Sequence, residues 1–585
     1  AHSSFHLGIF LLRKRKNPEH YIRMFLQVVS PLTKNQGFGS TFVSPSIARR
    51  ATPEQLEHDS LIMGRREHNR TGLQFDQTET LIDHSQEHNQ QKSKLPPLVN
   101  VIKISVEKNA APFHFPGHKR GVAAPASLVD TIGIAPFLHD ATELPELDRF
   151  GYPTGPLLDA QNQAAELFGA TQTWFLVCGT TCGILAAIMS ACSPGDTLIL
   201  ARNSHVSATS AMVLCGAIPK YIVPEHNLEW DIAGGVTPSQ VKMAIQESEK
   251  EGKRAAAVFV TSPTYNGVCS NLSEISQICH SHGIPLIVDE AHGAHFKFHP
   301  NMPKTALSQG ADLVIQSTHK VLCSFSQSSM LHLSGNRIDR DRVHKCLQSL
   351  QTTSPNWLLL ASLDATRDEL SKNPNTLFNE VMELIQEEKQ VISHIPGISL
   401  LDLSSFFNNF PSIDPLRMTI GTQGLGLSGF QAYDILSTSH GIEPELIGTK
   451  SFTLAFSIGT TKEHSKRLVN GLKYLSTNYF LREIQMKRKI IDDNGTEGVP
   501  FGEVYMSCTP REAFFARKKI VNFEKSIGEI CGEFICPFPP GIPVLIPGEV
   551  ITKRAMDYLI QVRDQGAFLK GAADPLLTSV VVCEF

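Results

Sequence analysis

The sequence has no C-x-x-C pair, although twelve cysteines are scattered along its 585 residues. Closely paired cysteines mark zinc sites, redox motifs and disulfide frameworks. Their absence excludes a metal-stapled or disulfide-stapled design and leaves reduced thiols in a reducing compartment as the reading. No apolar run approaches the roughly 18 residues that span a bilayer. No internal repeat is visible, which removes solenoids and propellers. A surplus of one charge is lacking too: 53 Lys and Arg stand against 57 Asp and Glu, a formal net charge of −4. Such a balance gives no reason to expect nucleic acid or an anionic membrane as partner. Hydrophobic residues at 41% and charged residues at 19% fit a globular chain of roughly two to four domains.

Acid is nearly missing from the first 50 residues. Eight Lys and Arg (Arg13, Lys14, Arg15, Lys16, Arg23, Lys34, Arg49, Arg50) face the single acid Glu19, among six serines. Acid-poor leaders with Arg and Ser are what organelle transit peptides look like, plastid ones included. The alternative is a basic tail with no address on a cytoplasmic protein. Residues 51–95 are polar, rich in Gln, His and Glu, and weakly periodic. They read as a linker, so 1–95 is set apart as leader and disordered linker.

From residue 96 the texture changes. Short apolar runs occur at Thr173–Val177, Thr197–Ala201, Pro219–Val223, Ala255–Val260, Pro285–Asp289 and Leu313–Ser317. Segments with helical spacing, such as Gly183–Cys192 and Leu272–His282, lie between them. Val-, Ile- and Leu-rich strands separated by helices predict an α/β fold with a mostly parallel sheet covered on both faces. Long helical patterns at Trp357–Lys372 and Phe378–Ser393 precede further strand candidates at Ile398–Leu403, Arg417–Ile420 and Phe452–Ile458. The charged run Arg482–Asp493 then leads into a segment dense in Pro and Gly around Cys536–Glu549. The expected division is a large domain over 96–355, a small α/β domain over 356–490 and a C-terminal α+β domain over 491–585.

Ligands of such sheets collect at the carboxyl ends of the strands, and three post-strand loops carry chemistry there. Gly179, Thr180 and Thr181 open a helix after the first run, where free N–H groups and the helix dipole suit a phosphate. The same residues could simply cap that helix. Asp289 ends a buried run, where a carboxylate needs a cationic partner such as a protonated pyridine nitrogen, unless it serves as a helix cap. Lys320, in Ser317-Thr318-His319-Lys320, also follows a buried run, and a lysine is seldom placed there unless its amine is used. Asp289 and Lys320 are 31 residues apart (320 − 289), one strand-to-strand step, so both can share one sheet edge. A Schiff-base lysine, a pyridinium partner and a phosphate cradle on neighbouring strand ends are what pyridoxal 5′-phosphate requires. His205, after Thr197–Ala201, could stack on the cofactor ring or lie at the surface.

Distinctive stretches then point to a family. Phe113-His114-Phe115-Pro116-Gly117-His118-Lys119-Arg120-Gly121, Asp140-Ala141-Thr142-Glu143-Leu144-Pro145 and Pro153-Thr154-Gly155-Pro156 resemble the Orn/Lys/Arg decarboxylases, pyridoxal-phosphate enzymes of fold type I. So do Val288–His292, Ser317–Lys320, Thr352-Thr353-Ser354-Pro355, Ser362-Leu363-Asp364, Thr509-Pro510-Arg511-Glu512-Ala513-Phe514, Pro539-Pro540-Gly541-Ile542-Pro543 and Ile546-Pro547-Gly548-Glu549. The resemblance runs over 96–585 in the family's order, and its length is similar to the short, wingless bacterial type that includes arginine decarboxylases.

It implies decarboxylation of arginine, lysine or ornithine, with Lys320 as the Schiff-base lysine and Asp289 on the pyridinium nitrogen. By the same resemblance His205 stacks on the ring, Gly179, Thr180, Thr181 and Ser317 contact the phosphate, and His319 and His292 lie beside the reacting atoms. Thr353 and Ser354 would approach the phosphate from a partner subunit, implying a homodimer or larger assembly with shared sites. No metal is expected. Cys182 and Phe538 depart from the family's small residue or serine and its tyrosine. Glu445, Glu549 and Asp574 are candidate acids for the distal cation of the substrate. The rival readings are transamination or elimination on the same fold, with Arg417 fixing a carboxylate, and a non-catalytic binding homologue.

Overall fold

A computed structural model of the chain describes residues 95–406, 409–480, 502, 504–538 and 541–585. The expected leader and linker over 1–94, and the charged run over 482–493, lie outside the described residues. Seven strands form the central sheet: β1 (Gln172–Leu176), β2 (Thr197–Ala201), β3 (Ile218–Ile222), β4 (Ala255–Thr261), β5 (Leu286–Asp289), β6 (Leu313–Gln316) and β7 (Ser329–Leu333). Their order is β1-β7-β6-β5-β4-β2-β3. The pairs β2–β3, β2–β4, β4–β5 and β5–β6 are parallel, while β7 runs antiparallel to both neighbours.

Alternation along each strand divides the apolar residues between two cores. Ile199, Val258, Val260, Val288 and Val314 face one layer, and Leu198, Leu200, Phe259, Ile287 and Ile315 the other. Because helices cover both faces, every residue of β2 is buried, and no polar alternation survives. Each fully buried side chain of this kind is worth about 1.5–3 kcal/mol. The helix Gly179–Ala191 lies close against the sheet through Gly183, where a Cβ would meet Ile315 and Leu176 at 2.7 Å. That close approach sets the height of the helix N-terminus above the strand ends.

The six sequence-predicted runs all become strands, with ends shifted by a residue or so. The seventh, β7, escaped prediction because serines open it and His332 interrupts its apolar run. His332 is fully buried there. Its Nδ1 lies 2.8 Å from Thr173 Oγ1 and its Nε2 3.1 Å from Gln316 Oε1, and the ring stacks on Phe168. Hydrogen bonds on both nitrogens make the burial tolerable.

Beyond the sheet, the helix Trp357–Lys372 receives the N-terminal helix Pro97–Glu107. Asp364, held by Arg367 at 2.6 Å, accepts the otherwise free N–H of Leu98 at 2.7 Å. A four-stranded antiparallel sheet follows, β8 (Ser399–Leu400), β9 (Arg417–Gly421), β10 (Leu446–Ile447) and β11 (Ser451–Ala455), in the order β8-β9-β11-β10. The last segment pairs β12 (Arg517–Asn522) with β15 (Ser579–Glu584) and β13 (Cys536–Phe538) with β14 (Phe568–Lys570). Cys531, Ile535, Leu545, Met556, Leu559 and Val582 form its separate core with the helix Lys553–Asp564. No helix among the described residues is long and apolar enough to cross a membrane.

Candidate active site

Asp289 ends β5, in register with Ile315 of the neighbouring parallel strand β6. Five residues beyond Ile315, Lys320 sits in the single turn Thr318–Val321. The two chain segments therefore deliver a carboxylate and an amine to one sheet edge. Asp289 is buried, and its Oδ1 accepts the Ala291 N–H at 3.1 Å. Burial pushes its carboxyl up to about 6, against the opposing pull of Lys320 and that N–H. Burial also lowers the Lys320 ammonium below the ordinary lysine value; Asp289 opposes the shift, Arg417 adds to it and Glu445 opposes it.

Lys320 Nζ lies 3.0 Å from His292 Nε2, and His292 Nδ1 lies 3.1 Å from Arg417 Nη2. His292 comes from the loop after β5, Arg417 from β9 of the small sheet, so the contact joins the two sheets. Burial drives His292 well below the ordinary histidine range, helped by Lys320 and Arg417. Arg417 is itself buried, and its Nε and Nη1 have no hydrogen-bond partner among the described residues. Beside it, Asp414 and His295 form a fully buried pair at 2.9 Å.

His319 and His205 complete the edge. His319 Nδ1 meets the Ser328 carbonyl at 2.8 Å; a carbonyl only accepts, so Nδ1 carries the proton and Nε2 is left bare. Burial lowers His319 as well. His205 caps the helix Val206–Cys215, its Nδ1 accepting the Ser207 N–H at 3.2 Å. Its burial, with Lys320 and Lys570 nearby, lowers it to about 4, so the ring is neutral.

The helix Gly179–Ala191 begins at the end of β1, with Cys178 supplying no side-chain cap. Gly179 has φ +75°, a backbone geometry that L side chains resist. Its neighbours divide in direction. Thr181 is exposed in the first turn, whereas the Thr180 hydroxyl turns inward to Ser317 and to Ser329 at 2.9 Å. Cys182 is buried one step further on, where desolvation holds its thiol at about 12. Thr353 and Ser354 are exposed, and the Ser354 N–H bonds only within its own turn, to Thr352. Gln351, just before them, accepts the Val177 N–H at 3.0 Å. That turn thus stands beside the open helix end without joining the Lys320 cluster of its own chain.

The C-terminal segment reaches the same edge. Arg202, directly after β2, is buried and donates to the carbonyls of Pro543 (2.6 Å) and Val544 (2.9 Å) and to Glu549 Oε2 (2.7 Å). A Cβ on Gly541 would lie 4.0 Å from His205 Nε2 and 3.9 Å from the Phe538 ring. The Lys570 ammonium stands 5.1 Å from the centre of that ring. Nothing in the sequence singled out Arg202 beyond its place beside Asn203-Ser204-His205, and Arg417 entered there only as a carboxylate-fixing residue of the rival transamination reading. Of the three candidate acids, Glu549 is occupied by Arg202 and Asp574 holds the N–H groups of Leu576, Thr578 and Ser579. Glu445 is exposed, and its charge acts on Lys320, His319 and Arg417.

A buried acid, a desolvated lysine, a neutral histidine and an uncapped helix end are together the donor set that a phosphorylated pyridine aldehyde needs. Residues 96–464 match the family model described as the Orn/Lys/Arg decarboxylase major domain, and residues 503–571 match that of the C-terminal domain. The arginine decarboxylase of Bacillus subtilis is 34% identical over 487 residues, covering 83% of this chain and 97% of its own length. The constitutive lysine decarboxylase of Escherichia coli is 25% identical over 564 residues, covering 81% and 78%. The solved structure of that E. coli enzyme shares the fold at a TM-score of 0.71 and 22% identity, over 84% of this chain and 82% of the other.

Proposed function

The chain belongs to the Orn/Lys/Arg decarboxylase family, and from that premise we propose that it removes the α-carboxylate of a basic amino acid as carbon dioxide, leaving the amine. The observation that carries the reading is the pairing of buried Asp289 with desolvated Lys320 on adjacent strand ends. Pyridoxal 5′-phosphate, when bound, supplies the electron sink for the pair left on Cα as carbon dioxide departs.

Lys320 would hold that cofactor through its amine, Asp289 would keep the ring nitrogen protonated, and His205 would lie against the ring. The N–H groups of Gly179 and Thr181 would take the phosphate at the positive end of the helix. Thr180 and Ser317 support that cradle through their mutual bond. The two unpartnered donors of Arg417 suit the substrate carboxylate. Glu445 is the acid available for the distal cation, since Glu549 and Asp574 are already bound elsewhere. His319, with Nε2 bare, can carry the proton that Cα receives once the carboxylate is gone. Phe538 and Gly541, beside His205, help exclude water from the site.

Shared sites in a homodimer are part of this reading. The exposed Thr353 and Ser354, and an arm on which Phe113 is 97% and Phe115 79% exposed, support a second copy as their partner. Arginine is the first substrate to test, because the B. subtilis arginine decarboxylase matches over nearly its whole length. Incubating the purified chain and cofactor with arginine, lysine or ornithine should release carbon dioxide and the matching amine. Lys320→Ala should lower turnover by at least about a thousandfold. Release of a keto acid in place of carbon dioxide would establish the transaminase reading.

A further inference from the structure

We propose that Arg417 is a positioning residue that fixes the tautomer of His292, so that His292 presents its Nε2–H to Lys320 and holds the lysine as a free amine. The inference deepens the proposed function and rests on Lys320 being the cofactor lysine.

Which atoms can donate decides the tautomer. Arg417 Nη2 stands 3.1 Å from His292 Nδ1, and a guanidinium has only N–H groups to offer, with no acceptor. Nδ1 must therefore be the bare nitrogen. A neutral imidazole then has its one proton on Nε2, the atom 3.0 Å from Lys320 Nζ. An imidazolium at this position would set an N–H against the guanidinium, and His292 is 4% exposed, with little water to screen the repulsion. An Nε2–H facing Lys320 needs a lone pair on Nζ, which an ammonium lacks and an amine has. The chain of three residues thus reads in one direction only, from guanidinium to imidazole to amine.

The charges around Lys320 are mixed and do not make the choice by themselves. Asp289 from β5 and Glu445 from the small sheet favour the ammonium, Arg417 disfavours it, and burial disfavours it most. His205 and His319 also face the lysine; burial lowers His205 to about 4, which leaves its ring neutral, and lowers His319 as well. A hydrogen bond that only the amine can accept adds to the burial effect and tips the balance. Arg417 is placed by its strand in the small sheet, and the charges of Asp414 and Glu445 oppose the burial that lowers it.

The chemical consequence is nucleophilicity. A free Nζ lone pair forms the C–N bond to an aldehyde carbon, and the two amine protons leave with the carbonyl oxygen as water. An ammonium would first have to lose a proton to solvent.

The test uses the full chain stripped of cofactor, with 15N-labelled histidine, the His292 signals being assigned by their loss in His292→Phe. Wild-type protein at neutral pH should show His292 with Nδ1 bare and Nε2 protonated, and Arg417→Met should give mixed tautomers. In parallel, trace acylation of Lys320 as a function of pH reads its titration midpoint. Both Arg417→Met and His292→Phe should raise that midpoint by about one unit, leaving about tenfold less free amine near neutrality.

A wild-type His292 protonated on Nδ1 overturns the proposal, and that measurement stands even if Arg417→Met fails to fold. A midpoint that moves in Arg417→Met and not in His292→Phe also overturns it, since direct charge repulsion would then suffice. Absence of any cofactor on Lys320 in wild-type protein is a separate failure, that of the cofactor-lysine reading itself.

Discussion

At the scale of the residue, the site works through what each polar atom is prevented from doing. His319 cannot use Nδ1 as an acceptor while that nitrogen donates its proton to the Ser328 carbonyl, which leaves bare Nε2 to take up and pass on a proton. Glu549 cannot meet a substrate cation while Arg202 holds it at 2.7 Å. Among the described residues Glu445 has no such commitment: its backbone N–H bonds to Thr453, and its exposed carboxylate acts electrostatically on Lys320, His319 and Arg417. Glu445→Gln should therefore raise the KM for a basic amino acid by about tenfold, the loss of one charge-assisted hydrogen bond of about 1.5 kcal/mol. The kcat should change much less, because the distal cation is far from the bond that breaks. Steady-state kinetics on the preferred substrate checks this, and a fall in kcat with unchanged KM would remove Glu445 from substrate recognition.

At the scale of the element, strand ends do the positioning. β5 and β6 carry Asp289 and Lys320 to one edge because parallel neighbours in register must end together. Directly after β2, Arg202 ties the C-terminal segment down just before His205, the histidine that caps the next helix. The tie is buried and charged. Removing one partner of such a pair leaves the other desolvated without compensation, at a cost of about 3–5 kcal/mol. Arg202→Met should accordingly lower the free energy of unfolding by that measure and loosen the C-terminal segment at Gly541. Denaturant unfolding gives the first quantity, and limited proteolysis of the C-terminal segment the second. A variant as stable as the wild type would mean that the backbone carbonyls of Pro543 and Val544 find other donors.

At the scale of the whole molecule, a buried acid links stability to pH. Glu290, beside Asp289 in sequence, accepts the Ala306 N–H at 2.8 Å and the Gln316 side-chain amide at 2.7 Å. Gln316 continues to His332 and Thr173, so the network crosses from β5 to β1 through β6 and β7. Burial raises Glu290 from the ordinary 4.5 to about 8, against the two hydrogen bonds. Between those values the folded chain holds a proton that the unfolded chain has released. The stabilisation is fully present below 4.5 and is lost as pH rises through about 8. Thermal unfolding measured across that window should show the midpoint falling with pH, and Glu290→Gln should flatten the slope whatever its offset. An unchanged slope in the variant would assign the effect to other groups.

The sequence by itself determined the parallel core and the strand ends at which Asp289, Lys320 and His205 stand. Val, Ile and Leu runs of strand length, buried on both faces, leave one stable arrangement, and spacing alone put Asp289 and Lys320 on neighbouring strands. Alternating pattern could not reveal β7, because its membership depends on His332 finding Gln316 on the neighbouring strand and Thr173, 159 residues away. Nor could it separate Glu445 from Glu549 and Asp574, three acids that look alike until their partners are known. Only the tertiary structure decided that Arg417 is buried against His292, that Thr180 turns inward while Thr181 stays exposed, and that Arg202 anchors the C-terminal segment. Local sequence carries periodicity and capping, which are short-range. Which side chains lose their water, and which donor each then meets, is set by contacts between segments more than a hundred residues apart, such as His292 with Arg417 and Arg202 with Glu549.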